Sequence, residues 1–442
     1  MRKAIVVGAG LAGLTAAYRL KKAGWKVTVF DSAAEVGGRA VSVSKQGYVF
    51  DSGAVGFGTV YKEMLDLIHE VGLADSIVNS STIAGTVRDG KIHEIDSAKP
   101  LTALTSKLLS FGSKLKMITL MRDLGKIKPF LNIANVGAAA QFDDETVEAY
   151  AKRRLNPELL EYFIEPLART VNLSRASRIS KLEVMNSLAG LFSTKLIHLR
   201  GGVGVFSQAL ARELDVKLNV KVRQIRRYDD HVEVTFPNPN GAADSHITVS
   251  ADVCVLATTL PQAVELCPEA RTLLAPLSTS IRYNRGLDVH LGYKAATKTK
   301  ALMAMMPPSE EKEIALFFME HNKAPDRAPP GHSMITVFFD HTAADRPWAL
   351  DDAALIKETS AIVERYLPEL AGQLEMSQVT RWPLGLTNPD VGIFKAMQEV
   401  NNKLNPADRI QFAGDYRSAA GQNSAVAWGN NVARDVIKHF PG

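Results

Sequence analysis

The chain has 442 residues, of which 46% are hydrophobic and 22% charged, with a net charge of +5 at neutral pH. That length exceeds what one simple core holds and points to two domains of ordinary globular composition, neither disordered nor collagen-like. Two cysteines cannot build a disulfide framework or a metal set, and no motif calls for nucleic acid. No apolar run approaches the length that spans a bilayer. The first strand starts almost at Met1, which leaves no room for a cleaved signal peptide, so the cytoplasm is the expected location.

Residues 3–7 read as a short buried strand. Gly8-Ala9-Gly10-Leu11-Ala12-Gly13 follows, then an Ala/Leu-rich helix to about Ala23 and a second strand, Lys26–Phe30, ending on Asp31. This is the arrangement of a dinucleotide site. Gly8 makes a tight turn, Gly10 lets backbone reach a pyrophosphate, and Gly13 allows close helix–strand packing. The amides at Leu11 and Ala12 and the helix dipole face the phosphates, and Asp31 is placed for the ribose hydroxyls.

Gly37-Gly38-Arg39 comes next, then Tyr48-Val-Phe-Asp51-Ser-Gly53-Ala54. Glycine backbone can approach a ligand closely, and arginine forks onto phosphate oxygens. Val60–Val71 reads as an amphipathic helix and Ile83–Ile95 as a hairpin turning at Asp89-Gly90. From 100 to 199 the pattern is helical. Leu104, Leu108, Phe111, Leu115 and Ile118 recur on one helix face, Gly112 interrupts it, and Ser110 or Ser113 caps a fresh start. Lys107, Lys114, Lys116, Arg122, Lys126 and Lys128 are interleaved, with Asp123 the first acid. Such a stretch suits an anionic membrane surface, and so a peripheral contact with the inner face of the membrane. The alternative, which we expect here, has the apolar face in the core and the lysines in solvent.

At Arg200-Gly-Gly-Val-Gly204 the chain returns to the nucleotide domain. A helix, Phe206–Leu214, precedes strands at Lys217–Arg226, His231–Phe236, His246–Val249 and Val253–Ala257. A second α/β unit spans about 270–385. Its strands are expected at Arg285–Tyr293, Glu313–Glu320, Met334–Phe339 and Gln378–Trp382, with a helix at Ala353–Tyr366 and a Pro-rich surface loop at Ala324–Gly331. The chain closes with a strand at 409–413, Gly414-Asp415, and a helix from about Gln422.

These segments together resemble the FAD-dependent amine oxidase superfamily, which includes protoporphyrinogen oxidases and phytoene- and squalene-type desaturases. The resemblance covers nearly the whole chain. It implies a Rossmann-type FAD domain with an inserted α+β substrate domain: residues 1–80, 200–268 and 386–442 for the first, 81–199 and 269–385 for the second. It also implies non-covalent FAD. Gly37, Gly38 and Arg39 would cover the pyrophosphate and ribityl chain, and Gly53 and Ala54 would approach the flavin ring. Val222 would hold adenine through its backbone, though a plain core valine reads the same. Gly414 and Asp415 would meet a ribityl hydroxyl. The helix start at Asn423 and Ser424 would face the pyrimidine end, with Asn423 where the family has glutamate.

Two departures bear on the substrate. Asp288 stands where many amine oxidases carry a lysine facing the flavin, and Ala419-Ala-Gly-Gln422 lacks their aromatic residue before the last helix. Asp288 and Gln422 are therefore the candidate catalytic positions. The expectation is an oxidoreductase that takes a hydride from a lipophilic small molecule, desaturating C–C or ring C–N bonds. An amine oxidase with an atypical site and a non-catalytic, lipid-partner-binding protein of the GDP-dissociation-inhibitor type are the alternatives. No nucleic acid or metal partner is expected, and the oligomeric state stays open.

Overall fold

The computed structural model describes residues 1–441 apart from 100, 132–135, 192–193, 243–244 and 419–420. At its centre is a parallel five-stranded sheet in the spatial order 215–217, 26–30, 3–7, 253–256, 410–412. β1 (Lys3–Val7), α1 (Leu11–Lys22) and β2 (Lys26–Phe30) form its first βαβ unit, as the alternation of apolar strand and Ala/Leu helix requires. α1 packs against the C-terminal helix Gln422–His439. They approach closely because Gly429 has no side chain: a Cβ there would meet Ala12 O at 2.5 Å.

A seven-stranded mixed sheet stands apart from this one, in the order 374–388, 282–293, 333–339, 314–319, 303–305, 83–88, 91–96. Its strands are nearly all antiparallel; 303–305 and 83–88 pair in parallel. A three-stranded antiparallel sheet (224–227, 232–237, 246–251) leads back into the parallel sheet, and most described residues between 101 and 191 are helical.

Several expectations need correction. The strand expected at Lys217–Arg226 is two strands in different sheets, Asp215–Lys217 and Gln224–Arg227. Asn219, with φ of 58°, ends the parallel strand and redirects the chain. The strand near Gln378–Trp382 runs from Leu374 to Asn388 despite Pro383, which is tolerated because this strand lies at the sheet edge beside a register shift at Asn284/Gly286. The helix expected at Phe206–Leu214 covers Gly204–Ala211. In the Pro-rich stretch Arg327 is fully buried, so it is not purely a surface loop. Finally, the 104–118 stripe is not one helix face: residues 106–110 break it into two helices, Leu108 is buried at the break, and Leu104, Phe111, Leu115 and Ile118 are exposed. Ser110 does cap the helix Phe111–Ile127, accepting from Ser113 N at 3.3 Å, and Gly112 lies inside its first turn. Its core-facing side is Leu120, Leu124 and Ile127, whereas Phe111 is 77% exposed.

Candidate functional site

The two glycine turns lie on each other. Gly37 N donates to Ala9 O at 2.8 Å, and a Cβ on Gly38 would come within 3.2 Å of Gly10 Cα. Gly37 and Gly38 have φ of +116° and +59°, which an L side chain rarely adopts. Gly13 is fixed by packing, since its Cβ would lie 1.9 Å from Gly8 O. Gly10 is different: a Cβ there would meet nothing within 4 Å. It is the N-cap of α1, no side chain caps that end, and the first turn holds no acid. Open space beside uncapped amides suits a phosphate.

Asp31 lies at the end of β2 with both oxygens engaged, accepting from Ala9 N at 2.6 Å and Ala33 N at 2.8 Å. The chain at 219–220 runs beside it, since Val220 N donates to Asp31 O. Val222 follows, its side chain buried and its own N–H and C=O unpaired with any described residue. That leaves a backbone edge free near Asp31.

Arg39 reaches the other end of the site. Its Nη1 donates to Asp415 Oδ2 at 2.8 Å and Gly385 O at 2.9 Å, while Tyr283 OH donates to Asp415 Oδ1 at 3.3 Å. The remaining guanidinium donors have no described partner. Gly53, at φ +128°, is pressed against Arg39 O, and Ala54 N donates to the same oxygen. Around this loop stand three buried polar atoms with no hydrogen-bond partner: Trp382 Nε1, Gln422 Oε1 and Asp288 Oδ1. Trp382 Nε1 lies 3.5 Å from the position of a Gly53 Cβ, and Gln422 donates to Gly56 O at 2.8 Å. A ligand with polar groups seated against this loop would complete them.

Asp288 shares one face of its strand with Gly286, His290 and Gly292, and no lysine occurs on that strand. Gly286 lies against Trp382; His290 stacks on Phe50 at 4.2 Å and bonds Thr336 and Thr380. Asp288 thus sits between Gly286, which lies against the Trp382 that borders Gly53, and His290, which stacks on Phe50. Burial raises its carboxyl well above the usual range, and burial lowers His290 to about 3. His290 and His198 are satisfied structural residues, His198 donating from Nε2 to Val55 O and bonding Ser80 Oγ through Nδ1. The Asn423 side chain is spent on the helix Lys62–Glu70, accepting from Met64 N and donating to Glu63, so it is not free for a ligand. Ser424 is buried one residue further along the same turn. Gly414 precedes Asp415 and is pressed against the Tyr416 ring. Ala419 and Ala420, which stand where the family's aromatic residue is expected, lie outside the described residues.

Sequence reading missed the buried ionic cluster beneath this loop. Lys323 and Arg327 both bond Asp51, and Lys323 also reaches Glu320 at 3.1 Å. Burial alone would raise Asp51, but Lys323 and Arg327 hold it well below the carboxylate range. The partners are separated by 272 residues in sequence, so no local pattern announces them.

A sequence profile described as flavin containing amine oxidoreductase matches residues 11–437. Protoporphyrinogen oxidase 2 of Arabidopsis thaliana is 31% identical over 170 residues, a match that spans 37% of this chain and only 31% of that enzyme's length. Coproporphyrinogen III oxidase of Bacillus subtilis is 21% identical over 474 residues, covering 99% of this chain and 98% of that one. Among solved structures, cyclohexylamine oxidase from Brevibacterium oxydans has the same fold, with a TM-score of 0.80 at 16% identity over the whole of both chains.

Proposed function

Since the chain belongs to the family of flavin-containing amine oxidoreductases and is an FAD-dependent oxidoreductase, we propose that it oxidises a lipophilic ring compound of the porphyrinogen type, removing hydrogen from C–C or ring C–N units. FAD would be held without a covalent link. The amides of Leu11 and Ala12 and the open side of Gly10 take the pyrophosphate, under the cover of Gly37 and Gly38. Asp31 takes the ribose and the Val222 backbone the adenine. Arg39 and Asp415 bind along the ribityl chain, and Gly53, Ala54 and the helix start at Asn423 and Ser424 lie against the ring. The flavin, when bound, supplies the hydride acceptor. The residues around it orient the substrate and keep water out.

The observation that carries the substrate reading is the strand face above the 50–54 loop. It offers Asp288 without a lysine, and beside it lies an apolar cluster of Leu173, Leu302, Leu316, Phe318 and Phe338, with Val55 packed against it. A largely apolar surround with one carboxyl, whose charged form burial disfavours, suits an uncharged or weakly basic ring better than a small ammonium ion. The relatives reported above are oxidases, in keeping with turnover rather than passive lipid-partner binding.

The purified protein is expected to be yellow and to release its colour into the supernatant on acid precipitation, because Cys254 and Cys267 are both buried in the core and offer no thioether. Colour kept in the pellet refutes the non-covalent claim. Under anaerobic conditions, porphyrinogens should bleach the flavin absorbance faster than simple primary amines. Rapid bleaching by a primary amine alone favours the second reading, an amine oxidase in which Asp288 ionises to pair with a cationic substrate.

A further inference from the structure

We propose that the surface formed by the helices Leu101–Thr105 and Phe111–Ile127 docks the protein on an anionic lipid bilayer. The longer helix has two apolar faces. Leu120, Leu124 and Ile127 are buried, while Phe111, Leu115 and Ile118 lie roughly 180° around the helix at about 100° per residue. That second stripe is in solvent: Phe111 is 77%, Leu115 52% and Ile118 50% exposed. The short preceding helix adds Leu101 at 72% and Leu104 at 65%. Other exposed apolar side chains, such as Val60, Val171 and Ile437, are scattered singly, so this is a concentrated patch rather than the usual background.

The charge around the patch selects its occupant. Six cations lie within or just beyond the two helices. Within the helices Asp123 is the one acid, and Arg154 already grips both its oxygens at 2.9 and 3.0 Å; Glu158, which accepts from Ser110 N at the start of the longer helix, is paired with Arg88 at 2.7 Å. Lys107, Lys116, Arg122 and Lys128 pair with no described carboxylate, and Lys114 instead closes the end of the short helix through Leu104 O and Ser106 O. A second copy of the chain would set this surface against itself and oppose like charges. An anionic headgroup layer over an acyl interior meets both demands: apolar side chains enter and the flanking cations meet phosphates. Among the described residues no helix is long and apolar enough to cross a membrane, so the contact would be on one face. It does not depend on the substrate reading, since a dissolved substrate needs no such surface.

The test is co-sedimentation of the full-length holoprotein with phosphatidylcholine vesicles, with and without phosphatidylglycerol, at low and high salt. The expected result is pelleting with phosphatidylglycerol vesicles at low salt, weakened about tenfold or more by high salt. Phe111→Ser/Leu115→Ser/Ile118→Ser and, separately, Lys107→Glu/Lys116→Glu/Arg122→Glu should each remove it while leaving the flavin spectrum unchanged. These side chains are exposed, so neither set should prevent folding; the two vesicle types test the unaltered protein in any case. No pelleting at low salt, equal pelleting with both vesicles, or patch-dependent dimerisation without vesicle binding overturns the proposal. So does indifference to charge reversal.

Discussion

Asp31 accepts two backbone hydrogen bonds, yet an ionised carboxylate has about four acceptor positions, so two stay available to ribose hydroxyls. Asp31→Ala should therefore lose twice. FAD affinity should fall about tenfold or more with the loss of a charge-assisted bond of roughly 1.5–3 kcal/mol. The flavin-free protein should also melt earlier, because Ala9 N–H loses its partner. Unchanged affinity in a titration would show that Asp31 does not touch the cofactor. Glu183 makes a different point at the same scale. Burial pushes its carboxyl up to about 7, and Oε2 has no partner. An unfolded glutamate titrates near about 4.3. Between those values the folded state holds the extra proton, so this residue's contribution to stability declines as pH rises, and its full cost is present above about 7. Urea melts should show Glu183→Gln gaining about 3 kcal/mol more over the parent at pH 8 than at pH 4. An equal difference at both pH values would refute it.

At the scale of elements, the glycines of the first turn do unlike things, and a pair of substitutions separates them. Gly13→Ala places a methyl group 1.9 Å from a backbone oxygen that cannot yield, so α1 must shift and the protein should lose several degrees of melting temperature even without flavin. Gly10→Ala meets no protein atom and keeps a φ of −76°, so the flavin-free melt should be unchanged while FAD binding weakens. Equal melting of both variants would remove the distinction between packing and ligand approach. The first βαβ unit was legible because local pattern, turn chemistry and tertiary role agree there. The strand 374–388 was legible only in its middle, since Pro383 and Gly385 look like loop until the sheet edge is known. The stripe from Leu104 to Ile118 is one helix face only from Phe111 on; the chain breaks at 106–110, Leu108 turns inward there, and the remaining members face solvent rather than the core. Periodicity reports that a helix has an apolar face, but not where the rest of the molecule lies; here the side with Leu120 and Leu124 packs inward.

Across the whole molecule, the loop that would meet the flavin is joined to distant parts of the chain through charge. Asp51 ends the strand just before Ser52-Gly53. It accepts from Val203 N and Ser42 Oγ as well as from Lys323 and Arg327, so four residues from three stretches converge on one carboxylate. None of this could be read from sequence, because charged residues usually mark surface and Arg327 lay in what looked like an exposed Pro-rich turn. Both cations are fully buried, and a buried pair costs far more to break than it contributes when intact. Lys323→Met should strip Asp51 of its main counter-charge and leave Arg327 alone against Asp51 and Glu320. The expected loss is roughly 3–5 kcal/mol of stability. A second readout follows from position: with Asp51 loosened, the turn at Gly53 should hold flavin less firmly, so FAD should dissociate faster at a temperature where the variant is still folded. Asp51→Asn/Lys323→Met removes both members of the closest pair and keeps an oxygen for Val203 N, so it should recover a substantial part of the lost stability. A double variant no more stable than Lys323→Met would show that the cluster does not act through the charge on Asp51.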